Sequence, residues 1–233
     1  MNPVSTDSLN PSESQSRYAC MHSVKLIHVT PNAEELIAYM ARVSNPSNQT
    51  NTQTSARLIR YLIEHSHWSP FEMVNMCVEI ETTRSIAAQI LRHRSFSFQE
   101  FSQRYADASQ LGSPVTPQLR LQDPKNRQNS VEVDEEDLFL KQEITQLFKH
   151  SELVYKKLLE AGVAKECARE VLPLSMPTRM YMNGSIRSWL HYCDLRTSNG
   201  TQKEHAKIAA QIQDLLYQHL PSISDAMWSR ELE

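Results

Sequence analysis

Three arginines, a histidine and one carboxylate are concentrated in a short segment of the chain. The segment reads QILRHRSFSFQEFSQRY and contains Arg92, His93, Arg94, Glu100 and Arg104. Arginine keeps its charge at any working pH and offers planar, forked donors, so arginines that converge suit a phosphate group or an electron-rich ring. Such a group of cations is costly to bury without partners. The segment therefore predicts an anion site whose carboxylate accepts from a ribose hydroxyl or holds an arginine in place.

The aromatic residues of the same segment leave other interpretations open. Phe96 and Phe98 alternate with polar residues, as they would on a half-buried, solvated strand. Together with Phe101 they would also provide the stacking surface of a single-stranded RNA-binding module. The net charge of -3 and the pI near 6.3 argue against RNA, because general nucleic-acid binders are usually strongly basic.

Composition narrows the class of protein further. The chain has 233 residues and 40% hydrophobic content, enough for one sizeable domain. Its four cysteines form no CxxC pair, so we expect neither a metal site nor disulfides, and a cytoplasmic setting. Its four glycines form neither GxGxxG nor a P-loop, so side chains and helix ends must hold any nucleotide. No signal peptide or membrane-spanning run is present in the sequence.

Hydrophobic periodicity predicts strands and helices that interleave without a regular βαβ repeat, which favours an α+β fold. The predicted strands cover residues 24–29, 73–81 and 178–182. The predicted helices cover residues 31–43, 54–65, 83–91, 134–162, 164–172, 185–195 and 202–220, with Thr30 as the cap and Pro31 in the first turn of the first helix. Outside these elements we expect a mobile N-terminal tail (1–22), a long loop or insertion (107–133) and a C-terminal tail (221–233).

The central segment resembles the signature of the flavin-dependent thymidylate synthases. In that family Arg-His-Arg is followed after seven residues by serine, as Arg92-His93-Arg94 is followed here by Ser102. The segment His67-Trp68-Ser69-Pro70-Phe71-Glu72 is similar to the family's His-x-Ser/Thr-Pro-Phe-Glu segment. Gln99 stands where many members carry asparagine. The resemblance covers residues 23–220 and implies a single oligomeric domain with a mixed or antiparallel sheet flanked by helices.

The resemblance also assigns the residues of the site. It implies FAD contacts from two turn residues, from the signature and from four residues of one predicted helix, namely His67, Ser69, Arg92, His93, Arg94, Glu100, Ser185, Ile186, Arg187 and His191. It implies dUMP contacts from Gln89, Ile90, Leu91, Arg92, Glu100, Phe101, Ser102, Gln103, Arg104, Arg169 and Arg196. Within this set Arg104 and Arg169 would bind the nucleotide phosphate, and Arg196 would be the catalytic residue that meets the uracil ring.

The implied activity is dTMP biosynthesis by reductive methylation of dUMP. The one-carbon unit would come from 5,10-methylenetetrahydrofolate, and the hydride from FAD reduced by NADPH. The resemblance further implies a homotetramer whose sites are shared between subunits, with no role for nucleic acid or a membrane. A flavoprotein that only oxidises NADPH is a further alternative, but it gives no reason for Arg169 and Arg196.

Overall fold

A computed structural model describes residues 21–133 and 137–228 of the chain. Its strands are β1 (Ser23–Val29), β2 (Asn75–Thr83), β3 (Ser97–Glu100), β4 (Leu121–Gln122), β5 (Ser130–Val131) and β6 (Pro177–Ser185). Its helices are α1 (Ala33–Ala41), α2 (Ser55–Glu64), α3 (Arg84–Ile90), α4 (Leu138–Glu160), α5 (Lys165–Ala168), α6 (Ile186–Arg196), α7 (Lys203–His219) and α8 (Pro221–Trp228). Almost all of the predicted N-terminal tail, residues 1–20, and the predicted start of the long helix, residues 134–136, lie outside the described residues.

The main sheet contains four strands in the order β1-β2-β6-β3. Strands β3 and β6 pair antiparallel, with Ser97 opposite Asn183 and Glu100 opposite Met180. The alternation predicted for β2 is confirmed, because Met76, Val78 and Ile80 are fully buried while the residues between them are partly exposed. The α+β class with an antiparallel sheet and helices is therefore confirmed.

The chain separates into two compact units. The first contains Glu81–Ala87 and Phe101–Arg179, and the second contains Ser23–Ile80, Ala88–Glu100 and the described residues from Met180 onward. In the second unit, helix α7 packs against β1, and its neighbours α6 and α8 pack against it. In the first unit, α4 buries Tyr155 against a small core of Ala108, Ala168 and Met176. No helix of the described residues has the length and apolar character needed to cross a membrane.

Helix α1 begins later than the sequence predicts. Thr30 is not its cap, because the Thr30 hydroxyl donates to the carbonyl oxygen of Asn75 (3.2 Å) and accepts from the Asn75 N–H (2.9 Å). Pro31 lies outside the helix, and Asn32, in the left-handed conformation with φ 52°, precedes it. The preference of proline for a first helical turn is overridden here by the link between β1 and β2.

Two segments that were predicted to lack regular secondary structure contain helices or strands. Residues 107–133 include a short 3-10 helix and the β4–β5 hairpin, whose turn is held by the Asp123 carboxylate accepting from the N–H groups of Lys125 and Asn126. The residues predicted as a C-terminal tail form α8 as far as Trp228. Ile223 is fully buried there, and its N–H donates to the carboxylate of Glu34 (2.9 Å). Proline at the start of α8 suits a first helical position.

Candidate functional site

The carboxylate of Glu72 links the turn after α2 to the start of α6 in the second unit. Its oxygens accept from the Ser185 hydroxyl and from Nη1 of Arg187 (2.8 Å). Ser185 is also the N-cap of α6, because its oxygen accepts from the Ser188 N–H (3.3 Å). The Ser185 hydrogen bond holds the pKa of Glu72 below its ordinary value, burial opposes this, and Arg187 adds to the lowering. The predicted flavin residues Ser185 and Arg187 are thus held by one carboxylate.

Aromatic rings lie beside this carboxylate. The rings of Trp68 and His191 meet edge to face with centroids 4.8 Å apart, and His191 also lowers the pKa of Glu72 through its charge. His67 is exposed in the preceding turn, and the centroid of its ring lies 6.0 Å from that of the Tyr61 ring. Ser69 begins the 3-10 turn Ser69–Glu72 and is exposed. Trp68 and Glu72 therefore place the His67–Glu72 segment against α6, which carries the predicted flavin residues Arg187 and His191.

The signature forms a tight turn directly after α3. The His93 N–H donates to the carbonyl oxygen of Ile90 (3.0 Å), and the Phe96 N–H donates to that of His93 (3.4 Å). Arg92 and Arg94, on either side of the histidine, are exposed. In this turn His93 therefore faces inward, while both guanidinium groups stay accessible to an anion.

The inward-facing histidine contacts the predicted catalytic arginine. Nε of Arg196, the last residue of α6, donates to Nε2 of His93 (2.8 Å). Burial lowers the pKa of His93 to about 4, and the charges of Arg196 and Arg92 add to the lowering. His93 is therefore neutral near pH 7, with its proton on Nδ1, and acts as an acceptor. The bond uses only Nε, so the four N–H donors on Nη1 and Nη2 of Arg196 are not engaged by His93.

Close packing fixes where the signature meets the sheet. Gly184 on β6 lies directly beneath the ring of Phe96, because a Cβ atom built on it would lie 2.5 Å from that ring. Phe96 also meets the ring of Trp189 on α6, with centroids 4.6 Å apart. The Ser188 hydroxyl reaches the carbonyl oxygen of Ser95 (3.4 Å). These contacts tie the signature turn to α6, which carries both Arg187 and Arg196.

Gln89 lies at the end of α3, as predicted, and it has a partner that the sequence did not suggest. Its side-chain amide donates to Oε1 of Gln202 (2.6 Å), and Nε2 of Gln202 donates to the carboxylate of Glu204 (2.9 Å). Glu204 is buried in the first turn of α7. The amide of Gln89 is therefore oriented by the segment that follows Arg196.

The predicted phosphate ligands lie in the first unit. Arg104 pairs with Glu166 through Nη2 (2.9 Å), and Nε of Arg169 lies 3.4 Å from the Glu170 carboxylate. Each arginine thus has its own carboxylate neighbour. Exposed pairs of this kind contribute little, so a phosphate dianion can displace them. Their joint action on one phosphate stays a prediction.

Several predicted contact residues are buried or structural. Ile186 and Ile90 are fully buried, and the Ile186 N–H donates to the carbonyl oxygen of Val74 (2.9 Å). Gln103 is also buried, while Leu91 and Ser102 are exposed. Both isoleucines are thus packed inside the chain at the ends of α3 and α6, and their contact with a ligand stays a prediction. Phe101 and Glu100 are both partly exposed.

Three functional candidates were missed at the sequence level. Glu72 is the last residue of the His67–Glu72 segment, and its place in that family pattern was the signal that could have marked it as a site residue. Tyr192 and His205 are fully buried beside His93, and the Tyr192 hydroxyl lies 3.1 Å from Nε2 of His205. Neither has a local pattern that marks it, since an aromatic residue and a histidine on helices are ordinary core residues.

Comparison with known proteins places this architecture in a family. The sequence pattern described as thymidylate synthase complementing protein matches residues 25–222 of the chain. This chain belongs to that family. The flavin-dependent thymidylate synthase resemblance inferred from the signature is therefore confirmed, and the match covers both the signature and the helix that carries Arg187 and Arg196.

Individual relatives agree with the family assignment. A probable flavin-dependent thymidylate synthase of Paramecium bursaria Chlorella virus 1 is 52% identical over 214 residues, covering 88% of this chain and 98% of the relative. The flavin-dependent thymidylate synthase of a Synechocystis species is 46% identical over 196 residues, covering 83% and 89%. Among solved structures, a UMP/dUMP methylase from Streptomyces cacaoi bound with 5-Br dUMP superposes with a TM-score of 0.78 at 25% identity, covering 89% and 95%.

Proposed function

We propose that this chain is a flavin-dependent thymidylate synthase that methylates dUMP to dTMP. The observation that carries the proposal is the geometry at Arg196, whose Nε is held by a neutral His93 while its Nη donors are not used by that bond. Activation of an electron-rich ring needs a guanidinium that is held in place, because donors already aimed at the developing charge stabilise that charge most. The names of the relatives and the dUMP analogue bound to the Streptomyces methylase support the same substrate.

The donor set fits a flavin dinucleotide. Exposed guanidinium groups at Arg92 and Arg94 suit the two phosphates, and Ser69 and Arg187 offer further donors near the aromatic ring of Trp68. Ser185 would contact the flavin as an acceptor, because its hydroxyl donates to Glu72. FAD, when bound, would supply the hydride that completes the methyl group after reduction by NADPH. Glu72 would keep Ser185 and Arg187 in place without itself contacting the phosphates.

Arg196 would act on the uracil ring of dUMP. Negative charge must develop at N3 and O2 before C5 can attack the one-carbon unit of 5,10-methylenetetrahydrofolate, and the Nη donors of Arg196 would stabilise that charge. Arg104 and Arg169 would hold the nucleotide phosphate, with Gln89 and Glu100 orienting the nucleoside. Ser102 would position the substrate, since it is exposed in a turn and the sequence places no base beside it.

The cysteines support a route without a cysteine nucleophile. Burial raises the pKa of the Cys193 thiol above its ordinary value, and the neighbouring Asp194 adds to this. Burial also raises the pKa of Cys77. A thiol whose pKa is raised is a poor nucleophile at neutral pH. All three cysteines of the described residues are free, which supports a reducing, cytoplasmic setting.

Exposed apolar side chains on α4 support an oligomer. Leu138, Phe139 and Leu147 are each about two-thirds exposed, at 69%, 67% and 64%. Of the residues of α4, only Tyr155 is buried within the chain. Apolar surfaces of this kind mark association sites. Second copies of the chain would cover α4 in a homotetramer with shared sites.

Product formation tests the proposed function. Purified protein is given dUMP, 5,10-methylenetetrahydrofolate and NADPH, with and without FAD, and dTMP is measured by chromatography. The proposal predicts dTMP only when FAD is present. Consumption of NADPH without dTMP would replace it with the NADPH-oxidising alternative, and the absence of both from flavin-loaded protein would contradict it.

A further inference from the structure

The hydrogen bond between His93 and Arg196 is backed by a second, fully buried polar pair. Tyr192 lies four residues before Arg196 on α6 and therefore on the same face of that helix. His205 lies in the first turn of α7. The Tyr192 hydroxyl and Nε2 of His205 are 3.1 Å apart, and the two side chains are 1% and 0% exposed.

This pair holds the ring of His93 from behind. The Tyr192 ring meets the His93 ring edge to face with centroids 4.8 Å apart, and the His205 ring is perpendicular to it at 6.2 Å. Rotation of the His93 ring would carry Nε2 away from Arg196 and would drive the imidazole into one of these two rings. The orientation of the acceptor for Arg196 is therefore set by the position of Tyr192 and His205.

The polar groups of the pair are unfavourable for stability alone. Among the residues that the structure describes, no partner lies within hydrogen-bonding distance of Nδ1 of His205. Burial lowers the pKa of His205 to about 3, with Arg196 and His93 adding to the effect, so the ring is neutral. A phenylalanine and a leucine would fill the same space and leave no buried polar atom unpaired.

We propose that Tyr192 and His205 are positioning residues, which fix the His93 ring so that its Nε2 accepts from Arg196 and directs the outer guanidinium donors toward the substrate. The proposal rests on the function proposed above for Arg196. It assigns the pair no contact with dUMP or the flavin. The one unpaired polar atom of the pair costs stability. The need for precise placement explains why the pair is polar, since small misplacements of a reacting group lower rates strongly.

Steady-state kinetics of His205→Leu and Tyr192→Phe, in flavin-loaded enzyme, test the positioning role. We expect kcat to fall about tenfold in each variant, within the roughly hundredfold loss that a 1 Å misplacement can cause. The KM for dUMP should change by less than about twofold, because a contact made mainly in the transition state affects kcat rather than KM. His205→Gln keeps a hydrogen-bonding partner for the Tyr192 hydroxyl, since its amide both donates and accepts, and should restore kcat to within about threefold of the unaltered chain.

Two controls separate positioning from folding. Tyr181→Phe removes a different tyrosine hydroxyl, one that donates to Glu79 (2.7 Å) outside the proposed site, and should leave kcat unchanged. The double variant Tyr192→Phe, His205→Leu should melt at or above the temperature of the unaltered chain, since it removes an unpaired buried polar atom. A kcat of both single variants equal to that of the unaltered chain would overturn the proposal.

A readout that needs no turnover distinguishes this proposal from the proposed function. In protein labelled with ¹⁵N-histidine, the Nε2 resonance of His93, assigned with His93→Gln, should be that of a hydrogen-bonded acceptor and should move toward that of an unbonded nitrogen in His205→Leu. An unmoved resonance would overturn the positioning role whatever the activity. If the resonance moves but the unaltered chain makes no dTMP, the proposed function fails and the positioning role stands.

Discussion

At the scale of single residues, two neutral histidines, His93 and His205, lie beside Arg196. His93 and His205 have pKa values lowered to about 4 and about 3, from an ordinary value of 6.5, because His93 is partly buried, His205 is fully buried and both lie near Arg196. A positive histidine would repel Arg196, and a protonated Nε2 could no longer accept its hydrogen bond. Burial therefore keeps the acceptor available throughout the neutral range.

The same shifts predict how stability depends on pH. The unfolded histidines bind protons near pH 6.5 and the folded ones only near pH 4 and 3, so the unfolded state is favoured as the pH falls through this interval. We expect the urea midpoint to be highest above pH 6.5 and to drop between pH 6.5 and 4. His205→Leu should make that drop shallower, whereas replacing the exposed His150 should not. Equal drops in both variants would contradict the assignment.

At the scale of single elements, β6 and α6 act as the frame of the site. Strand β6 ends at Ser185, which caps α6, and the helix then presents Arg187, His191 and Arg196 in successive turns. Gly184 lets the Phe96 ring of the signature turn lie against the strand just before that cap. The frame thus depends on the absence of a side chain at one position.

Gly184→Ala should destabilise the protein by about 1–3 kcal/mol, because the added Cβ would lie 2.5 Å from the Phe96 ring and the ring must move. The double variant Gly184→Ala, Phe96→Leu makes room and should recover part of the loss. Urea unfolding of the two single variants and the double variant measures the coupling. Strictly additive effects would mean that Phe96 and Gly184 do not constrain each other.

Helix α4 begins with a side-chain cap whose removal has a measurable cost. The Asp137 carboxylate accepts from the N–H groups of Phe139 (2.9 Å) and Leu140 (3.1 Å). Asp137→Ala should lower the free energy of unfolding by about 1 kcal/mol, the usual effect of losing a cap. Asp137→Asn keeps the acceptor oxygen and should lose only a few tenths. A full loss in both variants would assign the effect to charge rather than to capping.

Local periodicity could predict the elements but not the links between them. The alternation in β2 and the four-residue spacing of Arg187 and His191 follow from one stretch of sequence, and both agree with the structure. The bond from Arg187 to Glu72 joins residues 115 apart in the chain, and that from Arg196 to His93 joins residues 103 apart. Such pairs depend on the order of strands in the sheet, which periodicity does not encode.

The proposed site residues were available from the family signature, whereas the residues that hold them were not. Thr30 illustrates the same limit before a helix, since its preference for capping gave way to a bond with Asn75 on β2. Tyr192 and His205 became candidates only when their rings were seen around His93. Their side chains are apolar or neutral in context, so neither charge nor spacing distinguished them from the core.

At the scale of the whole molecule, α4 presents the surface proposed for association. Leu147→Glu places a charge in that apolar surface and should weaken assembly, so sedimentation should show smaller species at micromolar concentration. Gln218→Glu adds the same charge to an exposed residue of α7, outside the α4 surface, and should leave assembly unchanged. An unaltered chain that sediments as a monomer would contradict the proposed tetramer directly.

Release of tritium from dUMP labelled at C5 tests most directly whether Arg196 activates the uracil ring. Flavin-loaded protein with 5,10-methylenetetrahydrofolate and NADPH should release tritium in step with dTMP formation. Arg196→Ala should lower the rate by about 10²–10³-fold, the usual effect of removing a donor to developing charge. Arg60→Ala, which removes an exposed arginine of α2, should release tritium at the unaltered rate. Full tritium release by Arg196→Ala would contradict the account.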